Sequence, residues 1–200
     1  MLHISQHDGK LKGFFSLSTS TLKNPFCQKM MKVPHTICSK CYAAKLESFR
    51  DRLRGHLEDN YDKLSKPIPD SELPNLFNMK YFRINSFGEL INKHHLDNII
   101  RIAELNPQTT IALWTKRTDL LRAVNNKPAN LILIVSSPYL NTQTEKPDIA
   151  DKVFTVHTKD SLSEYNCSRS CAACLKCYTI GDPNTFIEEE VNLRNKSISE

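Results

Sequence analysis

The sequence lacks any run of apolar residues long enough to cross a bilayer, and its first residues lack the features of a secretory signal. These absences predict a soluble, cytoplasmic protein without a membrane partner. No basic arm is present either, because the lysines and arginines behind the formal charge of +5 are spread along the chain. The charge pattern therefore gives little support to nucleic acid binding.

The sequence also lacks the even number of cysteines that complete disulfide pairing would need. The chain has seven, so they cannot all pair in internal disulfides, and a reducing cytoplasm disfavours such bonds. Metal ligation therefore explains these cysteines better than disulfide bonding does. The length of 200 residues suits one compact unit. We expect residues 1–160 to form a barrel-like part and residues 161–200 to form a cysteine-rich segment with a polar tail.

Strand and helix patterns alternate along the chain. Strands are predicted at residues 14–19, 81–86, 110–115, 131–135 and 152–157. Helical spacing is found at 39–64, 91–103 and 120–124, whereas the cysteines before residue 39 lie in a predicted irregular stretch. We expect His94 at the surface of the second helix, His95 at its edge, and a surface helix or frayed end at 188–200.

This alternation predicts an α/β fold, namely an open partial (β/α) barrel with a mainly parallel sheet. Cysteine-rich loops are expected after the first and last predicted strands. Functional residues gather at the carboxyl ends of strands in such sheets, so the two loops can be neighbours in space.

Four cysteines occur within eleven residues near the end of the chain, at Cys167, Cys171, Cys174 and Cys177. We call them the C-terminal cysteine group. Two or three residues between successive thiols let a chain wrap around a compact inorganic cluster, whereas structural zinc usually takes two pairs with a longer spacer. The spacing therefore favours a 4Fe-4S cluster over zinc.

Three further cysteines, Cys27, Cys38 and Cys41, form the N-terminal cysteine group. Three ligands leave one iron of a 4Fe-4S cluster open for a substrate, a cofactor or a residue such as His35. Cys27 also fits a small buried core residue, because the gap to Cys38 constrains geometry little. Three cysteines in one group and four in the other predict one cluster with an open position and one that is fully ligated. A single cluster with ligands from both groups would also fit.

The N-terminal group resembles the cluster loop of the radical S-adenosylmethionine superfamily, in which an aromatic residue lies beside the last of three cysteines. Cys38, Cys41 and Tyr42 carry this resemblance, although the gap between Cys27 and Cys38 is longer than the superfamily's spacing. Gly88 and Glu89 stand where the superfamily has a motif that meets the amine of the cofactor. The resemblance implies S-adenosylmethionine as a second cofactor, bound by Gly88 and Glu89. By residue type alone, these two can equally be a turn and a helix-start carboxylate.

The chain also resembles a phage protein family, the gene-product-eighty-eight proteins. The matching motifs are Cys41-Tyr42-Ala43, the segment 83–88, Thr115-Lys116-Arg117 and the C-terminal cysteine group. This resemblance implies a phage origin, hence the host cytoplasm, and a metal centre, but names no reaction.

The sequence thus predicts an iron–sulfur protein of radical-SAM-like architecture, served by an electron donor if it is redox-active. An enzyme that uses S-adenosylmethionine is one alternative. A non-enzymatic electron-transfer, sensor or interaction protein is another, and a zinc-stapled binding module is a third. Lys116 and Arg117 are expected to meet either an anionic substrate or the charge of a cluster.

Overall fold

The computed structural model describes residues 1–159, 161 and 164–190. Its centre is a seven-stranded sheet in which strands adjacent in sequence lie side by side. The strands are β1 (Ile4–Gln6), β2 (Phe15–Leu17), β3 (Tyr81–Ile84), β4 (Thr110–Thr115), β5 (Leu131–Ser136), β6 (Lys152–His157) and β7 (Phe186–Glu190). β1 pairs with β2 antiparallel, and every later pair is parallel. Within the described residues the sheet is open, because β1 and β7 form its two edges.

Six α-helices accompany the sheet in the described part of the chain. They are α1 (Pro25–Met31), α2 (Tyr42–Phe49), α3 (Asp51–Leu64), α4 (Lys93–Leu105), α5 (Thr118–Leu121) and α6 (Cys171–Cys174). Single turns of 3-10 helix occur at Ile37–Lys40 and Lys176–Tyr178. None of the described helices is long and apolar enough to span a membrane.

The two faces of the sheet have separate cores. On the outer face, strand residues such as Phe82, Leu113 and Leu133 pack with Leu64 of α3 and Ile99 of α4, all of them buried. Side chains of successive strand residues point to opposite faces, so the next residues along β4 and β5 face inward. The inner core consists of Phe14, Ala112, Trp114, Ile132, Ile134 and Tyr178.

Tyr178 follows β6 in the sequence and packs in the inner core. This part of the chain therefore covers the inner face of the sheet. β7 runs parallel to β6, so the connection between them must return along the sheet instead of turning back in a hairpin. This connection contains the C-terminal cysteine group, which therefore lies over the inner face. The expected boundary between residues 1–160 and 161–200 stays a prediction. β6 and β7 lie on either side of this boundary and pair with each other.

The predicted mixed α/β fold with a mainly parallel sheet is confirmed. The strand predicted at 110–115 coincides with β4, and those at 131–135 and 152–157 match β5 and β6 to within one residue. All three are continuous runs rich in β-branched and aromatic residues, the pattern of a strand covered on both faces.

Several local predictions were wrong. β1 was missed, and the predicted irregular stretch contains α1, because Asn24 caps a helix whose first residue is Pro25. The helix predicted at 39–64 is two helices that meet at Arg50. His95 is not at an edge but is buried, with an exposure of 1%.

The tail prediction also needs correction where it is described. Residues 188–190 belong to β7, whereas residues 191–200 lie outside the described part of the chain. Three successive glutamates look like solvated surface, but each has a basic partner from another segment. Glu188 pairs with His157, Glu189 with Lys10, and Glu190 with Arg169. These pairs offset the cost of placing the acidic strand against the sheet.

Candidate metal centre

All seven cysteines line one cavity of about 710 Å³. We call it the cysteine cavity. Residues just after β3 and β4 and at the end of β5, including Glu89, Lys116 and Ser136, line it too, so it opens at the carboxyl edge of the parallel strands. Every cysteine is a free thiol and partly buried. The fold thus brings together two cysteine groups that are more than a hundred residues apart in sequence.

Cys27 is positioned by the cap of α1. Oδ1 of Asn24 accepts hydrogen bonds from the backbone N–H groups of Phe26 at 2.9 Å and of Cys27 at 3.4 Å. Nδ2 of the same side chain donates to the carbonyl oxygen of Glu89 at 2.9 Å. Asn24 therefore fixes the start of α1 to the turn that follows β3.

The other two thiols of the N-terminal group follow closely. Cys38 lies in a 3-10 turn in which Oγ1 of Thr36 accepts a hydrogen bond from the backbone N–H of Ser39, and Cys41 is the residue before α2. Tyr42 donates from its hydroxyl to the carbonyl oxygen of Ser86 at 3.1 Å, which holds the start of α2 against the turn after β3. The helix N-terminus beside Cys41 favours negative charge at that position.

The three thiols affect one another electrostatically. Burial raises the pKa of Cys27 well above the ordinary value for a thiol, and Glu89, Cys41 and Cys38 add to that rise. Burial likewise raises the pKa of Cys38, while the positive charge of Lys116 lowers it. The three thiols of the N-terminal group are therefore close enough to influence one another, and Lys116 is the cation near them.

The C-terminal group is built from a single turn of helix and a tight reversal. α6 spans Cys171–Cys174, and Leu175 then adopts the left-handed conformation with φ of 53° before the 3-10 turn that contains Cys177. Tyr178 closes the segment onto the inner core, with its ring centroid 4.8 Å from that of Phe14 and 5.8 Å from that of Trp114.

Two cations, Lys10 and Arg83, lie near three of these four thiols. Burial raises the pKa of Cys177 to about 12, while Arg83 and Lys10 lower it. Burial also raises the pKa values of Cys167 and Cys171, while the positive charge of Lys10 lowers them. Cys174 differs, because hydrogen bonds from the backbone of Lys176 and Ser168 outweigh the effect of its burial and lower its pKa.

The donor set fits an iron–sulfur group. Seven thiols divide into three and four, with separate cations beside each set, and thiolates are the ligands that such clusters take. No three His, Cys, Asp or Glu side chains of the described residues converge as they would on one metal ion. The thiolates of a cluster bind different iron atoms, so they do not need to meet at one point.

Gly88 and Glu89 both line the cysteine cavity. Glu89 is buried, and its carboxylate accepts hydrogen bonds from the hydroxyl of Thr115 at 2.5 Å and from the backbone N–H groups of Leu90 and Lys116, each at 2.7 Å. Burial raises the pKa of Glu89, while Lys116 and these donors lower it. The carboxylate therefore ties the turn after β3 to the end of β4.

Two other expected residues are placed outside the cavity. His35 is exposed, in a left-handed conformation with φ of 61°, and does not line the cavity. Arg117 turns away to form an ion pair with Asp119 and to donate to the carbonyl oxygens of Leu90 and Ile91, whereas Lys116 lines the cavity.

Sequence reasoning missed the site roles of Lys10, Arg83 and Tyr178. The signal for Arg83 was a cation at an inward position of a strand whose neighbours, Phe82 and Ile84, are fully buried. Lys10 gave no signal, because only the fold brings the segment between β1 and β2 to the C-terminal group.

A family model described as Gene product 88 matches residues 5–187. The chain belongs to the gene product 88 family. The match covers all the cysteines, so the motifs that carried the resemblance lie within the matched residues. No curated protein and no solved structure matches the chain.

Proposed function

We propose that this protein binds two 4Fe-4S clusters, one at each cysteine group. The observation that carries the proposal is that all seven cysteines line one cavity and form sets of three and four thiols. Scattered core cysteines would be expected at unrelated places in the fold, whereas ligands must be gathered.

The surrounding charges support this proposal. A cluster held by several thiolates is negatively charged, and burying such a charge is costly without nearby cations or dipoles. Lys116 lies beside the N-terminal group, and Lys10 and Arg83 lie beside the C-terminal group. Each set of thiols thus has the positive charge that a cluster would need.

We further propose that the open sheet is a partial (β/α) barrel. Sequential strand order, parallel pairing and helices against the outer face support this architecture. The C-terminal cysteine group would then be a cap on the barrel interior, joined to the rest as one compact unit. A phage protein of this kind would work in the host cytoplasm.

The first test is the iron, acid-labile sulfide and zinc content of anaerobically purified protein. We expect iron with matching sulfide, and loss of about half of it both in a Cys38→Ser/Cys41→Ser variant and in a Cys174→Ser/Cys177→Ser variant. Loss of nearly all iron in both variants would indicate one mixed cluster. Stoichiometric zinc without sulfide would overturn the iron–sulfur proposal and leave a zinc-stapled module.

A second candidate, an enzyme that uses S-adenosylmethionine, is favoured by the N-terminal group. Three thiols would leave one cluster position open, and the turn with Gly88 and Glu89 lines the same cavity, which is large enough for a small molecule. The chemistry that S-adenosylmethionine would supply there is the reductive cleavage of its own carbon–sulfur bond. A partner protein would donate the electron for this cleavage. Glu89 would accept a hydrogen bond from the cofactor's amine and Lys116 would offset negative charge.

Equilibrium dialysis of S-adenosylmethionine against iron-loaded protein tests this candidate. We expect binding that weakens about tenfold or more in Glu89→Gln, because a hydrogen bond to a charged group is lost. Glu47→Gln is the matched control, since Glu47 is equally buried but lies outside the cavity lining. Iron-loaded protein without any affinity for the cofactor would leave the non-enzymatic electron-transfer or sensor role.

A further inference from the structure

Three buried polar atoms in the short segment 83–86 have no hydrogen-bond partner among the described residues. They are Nε of Arg83, Oδ1 of Asn85 and Oγ of Ser86. All three residues line the cysteine cavity. Because buried polar atoms in native proteins are almost always hydrogen-bonded, three unpaired atoms within four residues call for a ligand.

Arg83 is held in place without being neutralised. Its guanidinium carbon lies 3.9 Å from the centroid of the Trp114 ring, a cation–π contact that fixes the plane of the group. No carboxylate of the described residues forms an ion pair with it, whereas Lys10 and Arg169 at the same cavity pair with Glu189 and Glu190. The positive charge of Arg83 is therefore available to a ligand in the cysteine cavity.

Asn85 and Ser86 are also fixed, and each is 7% exposed. Nδ2 of Asn85 donates to the carbonyl oxygen of Trp114 at 3.1 Å, so the amide oxygen is the unused half of that side chain. The backbone N–H of Ser86 donates to Oγ of Ser18 at 3.1 Å. These bonds orient one acceptor and one hydroxyl beside the guanidinium without using them.

We propose that Arg83, Asn85 and Ser86 form a binding subsite for a small organic anion. The ligand would be a carboxylate or phosphate ester that also carries a hydroxyl or amino group. Arg83 would donate to the oxyanion, Oδ1 of Asn85 would accept from the hydroxyl or amine, and Ser86 would bind either. Lys116, whose Nζ lies 3.5 Å from Oγ of Ser136, adds a second positive charge at the same cavity. The inference rests on the proposed function, because it names a substrate class for the same cavity.

The charge of a cluster is the competing explanation for Arg83, which lies beside Cys171 and Cys177. That explanation does not account for Asn85. Thiolate and sulfide are acceptors, and an amide oxygen is an acceptor too, so the two cannot form a hydrogen bond. Oδ1 of Asn85 needs a donor, and a hydroxyl or amine on a ligand would provide one.

Isothermal titration of anaerobically purified protein of measured iron content tests the subsite. The probes are ribose 5-phosphate and gluconate, with ribose as the uncharged control. We expect at least one of the two anions to bind, and about tenfold to a hundredfold weaker binding in Arg83→Gln. Ser86→Ala is a milder change and should weaken binding by a smaller factor. Arg122→Gln, at an exposed arginine outside the cavity lining, should bind as the wild type does.

Each result has a distinct meaning. If neither anion binds, if ribose binds as tightly as ribose 5-phosphate, or if Arg83→Gln retains full affinity, the subsite is wrong. Equal iron content in wild type and Arg83→Gln would show that weaker binding does not come from a lost cluster. Anion binding by protein that contains no iron or sulfide would leave the subsite standing and overturn the cluster proposal alone.

Discussion

Gly88 is the residue where backbone geometry most clearly limits the choice of amino acid. Its φ is +73°, and a Cβ built there would lie 2.4 Å from the carbonyl oxygen of Thr19. Both facts exclude a side chain, because φ in this range strains other residues and the neighbouring backbone cannot yield. The close approach holds the turn after β3 against the chain that leaves β2.

We expect Gly88→Ala to lower the free energy of unfolding by at least about 2 kcal/mol. Gly55→Ala is the control, since Gly55 lies inside α3 with open space at its Cβ, and should stabilise by about 0.5–1 kcal/mol. Urea denaturation of the metal-free proteins measures both. A Gly88→Ala variant as stable as wild type would contradict the tight contact with Thr19.

His95 predicts a pH dependence of stability that is independent of the cysteines. Its side chain is buried, Nδ1 accepts a hydrogen bond from the backbone N–H of Ile91 at 3.3 Å, and burial lowers its pKa from 6.5 to about 3. The unfolded chain therefore binds a proton below pH 6.5 that the folded protein does not bind. Stability from this residue is present above pH 6.5 and is lost as the pH falls toward 3.

Between pH 6.5 and 4.5 this one group should cost the wild type about 2 kcal/mol of unfolding free energy. His95→Gln should lose that much less over the same range, whatever its absolute stability. Denaturant titrations at several pH values give the difference between the two proteins. Parallel pH profiles would show that His95 is not neutral and buried in solution.

At the scale of the element, α1 and α4 begin in the same way but serve different purposes. Asn24 caps α1 and Asn92 caps α4, each accepting a hydrogen bond from a backbone N–H of the first turn. Each also donates through Nδ2 to a carbonyl oxygen, of Glu89 and of Ser65 respectively. Only the α1 cap lies next to a cysteine of the cavity, Cys27.

Asn24→Ala and Asn92→Ala should therefore have similar costs in stability, each about 1–2 kcal/mol. Their effects on metal content should differ, because loss of the α1 cap releases the turn that positions Cys27. We expect less iron per protein in Asn24→Ala and wild-type iron in Asn92→Ala. Equal iron in both variants would indicate that Cys27 is a core thiol and not a ligand.

At the scale of the whole molecule, Tyr178 joins the C-terminal cysteine group to the sheet. Its ring packs against Phe14, Tyr81 and Trp114, which belong to three different segments of the inner face. Tyr178 is 3% exposed, whereas Ile180, two residues later, is 55% exposed. Tyr178 is thus the buried aromatic anchor of the cysteine segment, and Leu175, Cys171 and Cys177 pack beside it on the inner core.

We expect Tyr178→Ala to lower the unfolding free energy by about 3–5 kcal/mol, the usual cost of truncating a buried aromatic ring. Ile180→Ala should change it by less than about 0.5 kcal/mol. Thermal or urea unfolding of the metal-free proteins distinguishes the two. A Tyr178→Ala variant with unchanged stability would mean that the segment does not pack on the inner face in solution.

The sequence predicted most of the strands correctly because buried strands of a parallel sheet leave a local signature. Leu131 to Val135 is readable as such a strand without any knowledge of its neighbours. The glutamates of β7 were misread for the opposite reason, since their partners Lys10, His157 and Arg169 lie far away in sequence. His95 was misplaced because a residue at the border of a helical stripe becomes core only when α4 docks on the sheet.

The sequence by itself determined the number and spacing of the cysteines, five of the seven strands, and the membership of a family whose motifs lie along the chain. These are properties of short segments, and local chemistry fixes them. The tertiary structure alone decided that both cysteine groups share one cavity, which cations face each group, and that Arg83, Asn85 and Ser86 keep unused hydrogen-bonding atoms there. Those facts depend on which distant segments pack together, and packing across a sheet is not encoded in any one segment.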